Sequence, residues 1–381
     1  MHPHIIDLQE SDDTRDVVHK AVQSLAEGKT VGFPTESDYV VAAAARQPKA
    51  IQRLLSLVAH RTEEPLLSLC VKSVEEAIDW APSLSQIGIR IARRCWPGPV
   101  ALVVDDNHPG SLVQCLNNTS RQAITKNGQL RLRVPNHPIL SSCMRMLAGP
   151  IVLAEPDVLD EPLSETAEAL IERSKTALDL VINDGHVQYH DPFTIIKVDN
   201  HSYTILRSGM IKEDVIRQKS KLVVLFVCTG NTCRSPMSEA LFRKTIADQL
   251  DCKADEIPSR GVIVESAGVA AWAGSSASAR AQEAVAELGG SLSHHHSQPV
   301  TSDLVKKADI IWTMTASHKS AILAQFPEAR DRIALLSPDR IDVVDPIGGP
   351  LDTYRTCAQQ ILAHIKSRID TLGLPLKPPE K

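Results

Sequence analysis

The sequence predicts an α/β protein of two domains, the second a doubly wound parallel sheet. Three observations point there. The chain has 381 residues, more than one hydrophobic core usually serves. Helix-like and strand-like segments alternate along both halves. A polar stretch, KEDVIRQKSK at 212–221, is followed at once by LVVLFV at 222–227. A continuous apolar, β-branched run of this kind reads as a strand buried on both faces. The boundary therefore falls there, with residues 1–212 as one domain, 213–220 as a linker and 221–381 as the second domain.

The elements follow in order. DDTRDVVHKAVQSLA at 12–26 is an amphipathic helix, closed by Gly28 as its C-cap. Thr30–Phe33 is a short strand ended by Pro34, and alternation continues to ILRSGMI at 205–211. In the second half SPMSEALFRKTIADQL is a helix and GVIVES a strand. ASARAQEAVAELGG is a helix stopped by Gly289-Gly290. ADIIWTM is a strand, ASHKSAILAQF a helix and DRIALL a strand. DTYRTCAQQILAHIKSRIDTLG is a final long helix.

Composition narrows the function. A hydrophobic fraction of 43% and a charged fraction of 23% are ordinary for a globular protein. A net charge of −5 argues against a general nucleic-acid binder, and 3% aromatics leave few base-stacking platforms. The opening MHPHIIDLQESDDT has no basic region followed by an apolar one, so no signal peptide is expected. No apolar run approaches the roughly 20 residues that span a bilayer. Eight scattered cysteines read as free thiols of a reducing cytoplasm. Without a CxxC pair or HExxH no metal is expected. His294-His295-His296 lie among serines and read as solvated or capping loop residues.

The chemistry concentrates in VCTGNTCRSP at 227–236, between the buried strand and the next helix. That is where an α/β sheet presents a ligand. Successive backbone N–H groups there can converge on one anion, helped by the positive end of the helix. Gly230 and Asn231 suit the left-handed backbone such a curl needs. Arg234 can clamp two phosphoryl oxygens with its planar fork. Pro236 fits the first helical turn. The field that holds a phosphate also favours a thiolate, so Cys228 is the expected nucleophile. Ser235 can donate a hydrogen bond to its sulfur. A Cys-(x)5-Arg spacing is weak alone; the strand before and Ser-Pro with a helix after give it weight.

CTGNTCRSP, with SAG at 266–268 and DP at 345–346, resembles the low-molecular-weight protein-tyrosine-phosphatase family over roughly 221–375. The resemblance implies a four-stranded parallel sheet and a phosphocysteine intermediate on Cys228. It also implies phosphoryl binding by Arg234 and the loop Thr229, Gly230, Asn231, Thr232, Cys233 and Ser235. Asp345 is implied as the acid that protonates the leaving group and then activates water. No cofactor is implied, and the partner is a phosphorylated protein. Cys233 has two readings, a trap for the oxidised nucleophile or a packed thiol. Thr232 and Ile347-Gly348-Gly349 stand where tyrosine-directed members carry bulky apolar and aromatic residues. They resemble the arginine-phosphatase branch, leaving phosphoarginine favoured over phosphotyrosine.

In the first half GKTVGFPTESDYVV (28–41), HRTEEPLLSL (60–69), WPGPVALVV (96–104), RLRVPNHPIL (131–140) and ILRSGMI resemble the YrdC-like threonylcarbamoyl-AMP synthase family over roughly 10–212. The resemblance implies a twisted α/β domain with a basic cleft. Its ligands would be ATP with Mg, threonine or RNA, held by Thr35, Tyr39, Arg61, Arg133, Thr194 and Arg207. Several positions depart from the family pattern. Its Lys-x-Arg is Ala59-His60-Arg61, its Ser-x-Asn is Glu155-Pro156-Asp157, its late Ser-Thr is Phe193-Thr194, and the Gly after the early Tyr is Val40. Two acids beside a triphosphate would repel it. The expectation is an eroded nucleotide site, with a bifunctional synthase and phosphatase as the alternative.

Overall fold

The computed structural model describes residues 2–58, 67–155, 163–174, 177–200, 202–369 and 372. The chain divides into two compact units, Met1–Ser220 and Lys221–Lys381. The stretch expected as a linker is instead a helix of the first unit, Glu213–Lys219. Ile216 is fully buried in that unit's core, while Glu213 and Asp214 start the helix and Arg217 and Lys219 end it, complementing its dipole. Arg90 and Arg94 donate to the closing carbonyls of Ser220 and Lys219 at 2.7 and 2.5 Å. One buried apolar residue among charges is why the segment reads as a linker.

The first unit is built on an 11-stranded mixed sheet among the described residues. Helix Thr14–Ala26 is capped by Asp13, whose side chain accepts from the Arg15 N–H, and buries Val17, Val18, Ala21 and Leu25 on one stripe. Gly28 follows in the left-handed region at φ 80°. Strands Val31–Pro34 and Tyr39–Ala44 form an antiparallel pair. Further along the sheet, Ser68–Cys70 lies between Ile151–Ala154 and Gln129–Arg133. Val100–Asp105 then joins Gln129–Arg133 to Thr194–Val198. This brings Arg133, Glu155 and Phe193, each at or just outside a strand end, into one neighbourhood.

The second unit is a four-stranded parallel sheet in the order Val262–Gly268, Leu222–Cys228, Ile310–Thr313, Ile333–Leu335. Leu222–Cys228 is buried along its whole length, as its apolar run predicts. Helices Arg234–Gln249, Ala279–Glu287 and Leu351–Ile369 share one core with it. Leu304, Val305 and Ile322, from helices Ser302–Lys307 and Ala316–Gln325, enter a separate one. Phe226, Phe242 and Trp312 pack as a triad with centroids 5.6–5.8 Å apart. Truncating Phe226 to Ala would cost about 3–5 kcal/mol. From the central strand the chain crosses first to Val262–Gly268 and then, on the other side, to Ile310–Thr313. That reversal opens a crevice at the strand's carboxyl end, and Cys228 stands there.

Candidate active site

The loop after Cys228 is shaped by a hydrogen-bond web. Asn231 is the loop residue with a positive φ, 54°, and its backbone N–H points at Cys228 Sγ, 3.3 Å away. Gly230, expected to share that role, does not adopt a positive φ. Its hypothetical Cβ would meet nothing closer than Thr232 Oγ1 at 3.7 Å. The glycine the loop demands is Gly268: a Cβ there would stand 2.4 Å from the Thr229 carbonyl and 2.9 Å from the Asn231 nitrogen. The buried Asn231 side chain donates to Ser235 Oγ (3.0 Å) and Ser266 Oγ (2.9 Å) and accepts from the Gln298 N–H (2.8 Å). Ser266 in turn donates to Glu239 Oε2 at 2.6 Å. Ser235 Oγ lies 2.9 Å from Cys228 Sγ. Having accepted from Asn231, its hydroxyl can donate to the sulfur.

Arg234 opens the helix and is buried, with its fork turned to the rim. One terminal nitrogen donates to the Val343 carbonyl at 3.1 Å, the other to Asp345 Oδ2 at 2.5 Å. Its Nε has no partner among the described residues. Asp345 sits on an open loop, its side chain 41% exposed, and also accepts the Ile347 N–H. The sulfur, the guanidinium and the carboxylate named from sequence thus cluster at one strand end. Cys233 is buried with its sulfur 3.5 Å from Ser278 Oγ and 3.7 Å from Tyr354 Oη. Thr232 lies partly exposed above it.

Sequence reasoning missed three members. His318 Nε2 is 2.8 Å from Thr229 Oγ1, and its Nδ1 2.9 Å from Thr315 Oγ1. Burial, and then the Arg234 charge, push this imidazole down to about 4, so it is neutral at neutral pH. Glu239 anchors the far end of the asparagine web. His295, expected to be a solvated or capping residue, reaches the Asn231 carbonyl with Nε2 at 2.8 Å. All three act across elements distant in sequence; for His295 the surrounding serines suggest only a loop. Among the described residues no cluster of three His, Cys, Asp or Glu side chains could hold a metal ion.

The residues named in the first half are brought together only in part. Arg61 and Asp157 lie outside the described residues. Tyr39 is buried, its hydroxyl donating to the Gly185 carbonyl at 2.7 Å. Thr194 Oγ1 is tied to the backbone of Ile211 at 2.9 and 3.1 Å. Thr35 closes a turn on Asp38 at 2.7 Å and stays with the named arginines, accepting from Arg133 Nη2 at 3.4 Å. Arg133 and Arg207 do meet, over one ring: their guanidinium carbons lie 4.0 and 4.1 Å from the Phe193 centroid. Arg133 also pairs with Glu155 (3.0 Å), Glu36 (3.1 Å) and Asp38 (3.7 Å). The acid expected to repel a triphosphate is instead engaged with the arginines.

Residues 223–373 match the family described as low molecular weight phosphotyrosine protein phosphatase. Residues 23–209 match the family of Sua5, YciO and YrdC, described as telomere recombination. The protein-arginine-phosphatase of Bacillus subtilis (strain 168) is 40% identical over 142 residues, 36% of this chain and 88% of that protein. The low molecular weight protein-tyrosine-phosphatase Etp of Escherichia coli (strain K12) is 32% identical over 133 residues, 34% of this chain and 81% of that protein. A solved YwlE arginine phosphatase from Geobacillus stearothermophilus is 36% identical, covering 40% of this chain and 92% of that chain, with a TM-score of 0.35. The second unit is a cysteine-based phosphatase domain. The chain belongs to the low-molecular-weight phosphatase family and carries a Sua5/YrdC-type unit ahead of that domain.

Proposed function

We propose that the chain hydrolyses phosphoarginine in proteins through a phosphocysteine intermediate. The observation that carries the chemistry is the convergence on Cys228: Ser235 Oγ at 2.9 Å, the Asn231 N–H at 3.3 Å, and the Arg234–Asp345 pair beside the same strand end. The Cys228 thiolate attacks phosphorus while Arg234 and the loop N–H groups hold the equatorial oxygens. Asp345 gives a proton to the departing guanidino nitrogen. Water then attacks the phosphocysteine, Asp345 takes its proton, and the sulfur leaves as a thiolate stabilised by Ser235. Loop residues Thr229, Gly230, Thr232 and Cys233 complete the cup.

For phosphoarginine over phosphotyrosine, the support is local. Thr232 is small and polar, and Ile347-Gly348-Gly349 after Asp345-Pro346 offers no aromatic wall to a phenol ring. The protein-arginine-phosphatases are 40% identical to this unit. The test is phosphate release by the full chain from phosphoarginine and phosphotyrosine peptides, against Cys228→Ser. Turnover on phosphotyrosine alone would overturn the substrate; no turnover on either would overturn the reaction.

For the first unit the reading is an eroded nucleotide site, supported by Glu155 and Phe193 on its arginines. The Sua5/YrdC match favours a second reading, synthesis of threonylcarbamoyl-AMP from threonine, bicarbonate and ATP with Mg for tRNA modification. ATP consumption dependent on threonine and bicarbonate decides between them; the first reading expects none.

A further inference from the structure

The first unit holds a buried ion cluster that the phosphatase chemistry does not use. Arg131 and Arg133 are two apart on strand Gln129–Arg133 and so project from the same face. Both reach the fully buried Glu155, Arg131 to Oε2 at 2.8 Å and Arg133 to Oε1 at 3.0 Å. Ser68 Oγ accepts from Arg131 Nε at 2.7 Å and donates to Glu155 Oε2 at 2.9 Å. One carboxylate thus offers each of its oxygens to a different guanidinium. Burial pushes the Glu155 carboxyl up, but Arg131 and Arg133 outweigh it and hold it below the ordinary range. Arg133 and Arg207 also both lie over the Phe193 ring, 4.0 and 4.1 Å from its centroid.

We propose that Glu155 is a resident oxyanion: its carboxylate fills the place of a phosphate group on Arg131 and Arg133 and makes this unit reject nucleotide phosphates. The inference deepens, and rests on, the reading of an eroded nucleotide site. Paired guanidiniums that grip two oxygens of one group form the contact a phosphate or pyrophosphate would make. With the carboxylate in place, an incoming anion meets a like charge and finds both forks taken. Glu36 and Asp38 stand beside Glu155 on Arg133, so among the described residues an incoming anion meets three acidic side chains at that guanidinium. By the resemblance read from the sequence, Glu155 and Phe193 both stand at positions the YrdC-like pattern gives to serine. The two substitutions act together, one by charge and one by stacking.

Removing the carboxylate alone leaves buried positive charge uncompensated, which an external oxyanion can relieve. The test uses the full chain, wild type against Glu155→Ser and Glu155→Gln, with inorganic pyrophosphate as the probe. Equilibrium dialysis gives the stoichiometry and thermal unfolding the linked stabilisation. The C-terminal phosphate loop is common to all three chains, so its contribution cancels in the difference. Glu155→Ser is expected to bind one more pyrophosphate per chain than wild type and to gain a larger pyrophosphate-dependent shift in Tm; adding Arg131→Met removes both gains. If wild type consumes ATP with threonine and bicarbonate, the eroded-site reading itself falls. If wild type is inert and the folded variants bind no extra pyrophosphate, the assignment of Glu155 falls while that reading stands. If neither variant folds even with pyrophosphate present, the assignment falls too, because an external oxyanion then cannot replace the carboxylate.

Discussion

Arg234 and Arg133 are both almost wholly buried, and each has an Nε without a hydrogen-bond partner among the described residues. Their surroundings separate them. Arg234 meets one carboxylate, Asp345, on an open loop with its side chain 41% exposed. Arg133 is closed in by Glu155, Glu36 and Asp38, whose side chains are 0–3% exposed, and by the ring of Phe193. Burial pushes the Arg133 guanidinium down, but the surrounding carboxylates overcome this and raise it. A buried arginine becomes a working site when its counter-charge can leave, and a structural strut when it cannot.

The sharpest way to break this comparison is to remove each arginine in turn. Arg234→Met is expected to lower kcat/KM for any phosphorylated substrate by about 10²–10³-fold or more while unfolding stays near wild type. Arg133→Met should do the reverse. It strands buried carboxylates and destabilises the first unit by about 3–5 kcal/mol, with phosphatase turnover unchanged. Urea unfolding and steady-state kinetics on the same two preparations settle it. Loss of activity in Arg133→Met would refute the contrast.

Asp345→Asn sharpens the point about a counter-charge that can leave. An amide of the same shape keeps contact with Arg234 but can neither give nor take the proton of the reaction. The expected loss in kcat is about 10²–10⁴-fold, larger for phosphoarginine than for an activated aryl phosphate whose leaving group needs no proton. Equal losses on both substrates would remove Asp345 from the role of acid.

His318 tests whether the second unit, too, contains a strut. Its imidazole sits well below the ordinary 6.5, at about 4, because burial and the Arg234 charge disfavour the cation. A depressed folded value means the contribution is whole above pH 6.5 and is lost as pH falls through 4, since the unfolded chain takes up the proton first. The loss is on the order of 3 kcal/mol at its limit. His318→Asn can still bridge Thr229 and Thr315 but does not titrate. Hydrogen-exchange protection of peptides around 310–335, taken relative to the intrinsic exchange rate at each pH, should therefore fall less between pH 7 and pH 4.5 in the variant than in wild type. An identical fall in protection would refute the assignment.

How much of this was legible depends on how the residues are spaced. The loop from Cys228 to Ser235 is contiguous, so its strand, curl, arginine and helix all lie in one reading window. Asp345 was found because Pro346 marks it. His318 and Glu239 were missed because they reach the loop from separate helix turns, a relation set by packing rather than spacing. Gly268 is demanded by the Thr229 carbonyl, a contact between two strand ends. In the first unit Glu155 was read from sequence as a charge that repels. Its partners lie 24 and 22 residues earlier on a strand of the same sheet, and no local pattern discloses such a register. The linker at 213–220 was misread for a related reason: Ile216 shows its burial only once the helix exists.

The smallest effect separates phosphoarginine from phosphotyrosine. Thr232 is the loop residue whose side chain is partly exposed over Cys233, and its carbonyl accepts the Ser278 N–H at 2.9 Å, so the backbone there is fixed from outside the loop. Thr232→Ile therefore changes the lip of the pocket without reshaping the N–H cradle. A branched apolar side chain gains contact with a phenol ring and loses the hydroxyl that can meet a guanidino group; one such apolar contact is worth about 1–3 kcal/mol. The ratio of kcat/KM for phosphotyrosine to that for phosphoarginine is expected to rise about 10-fold, with the Cys228-dependent rate on a small aryl phosphate little changed. If both protein substrates change by the same factor, Thr232 shapes the loop rather than selects the leaving group, and specificity must then be sought in the Ile347-Gly348-Gly349 segment that follows Asp345-Pro346.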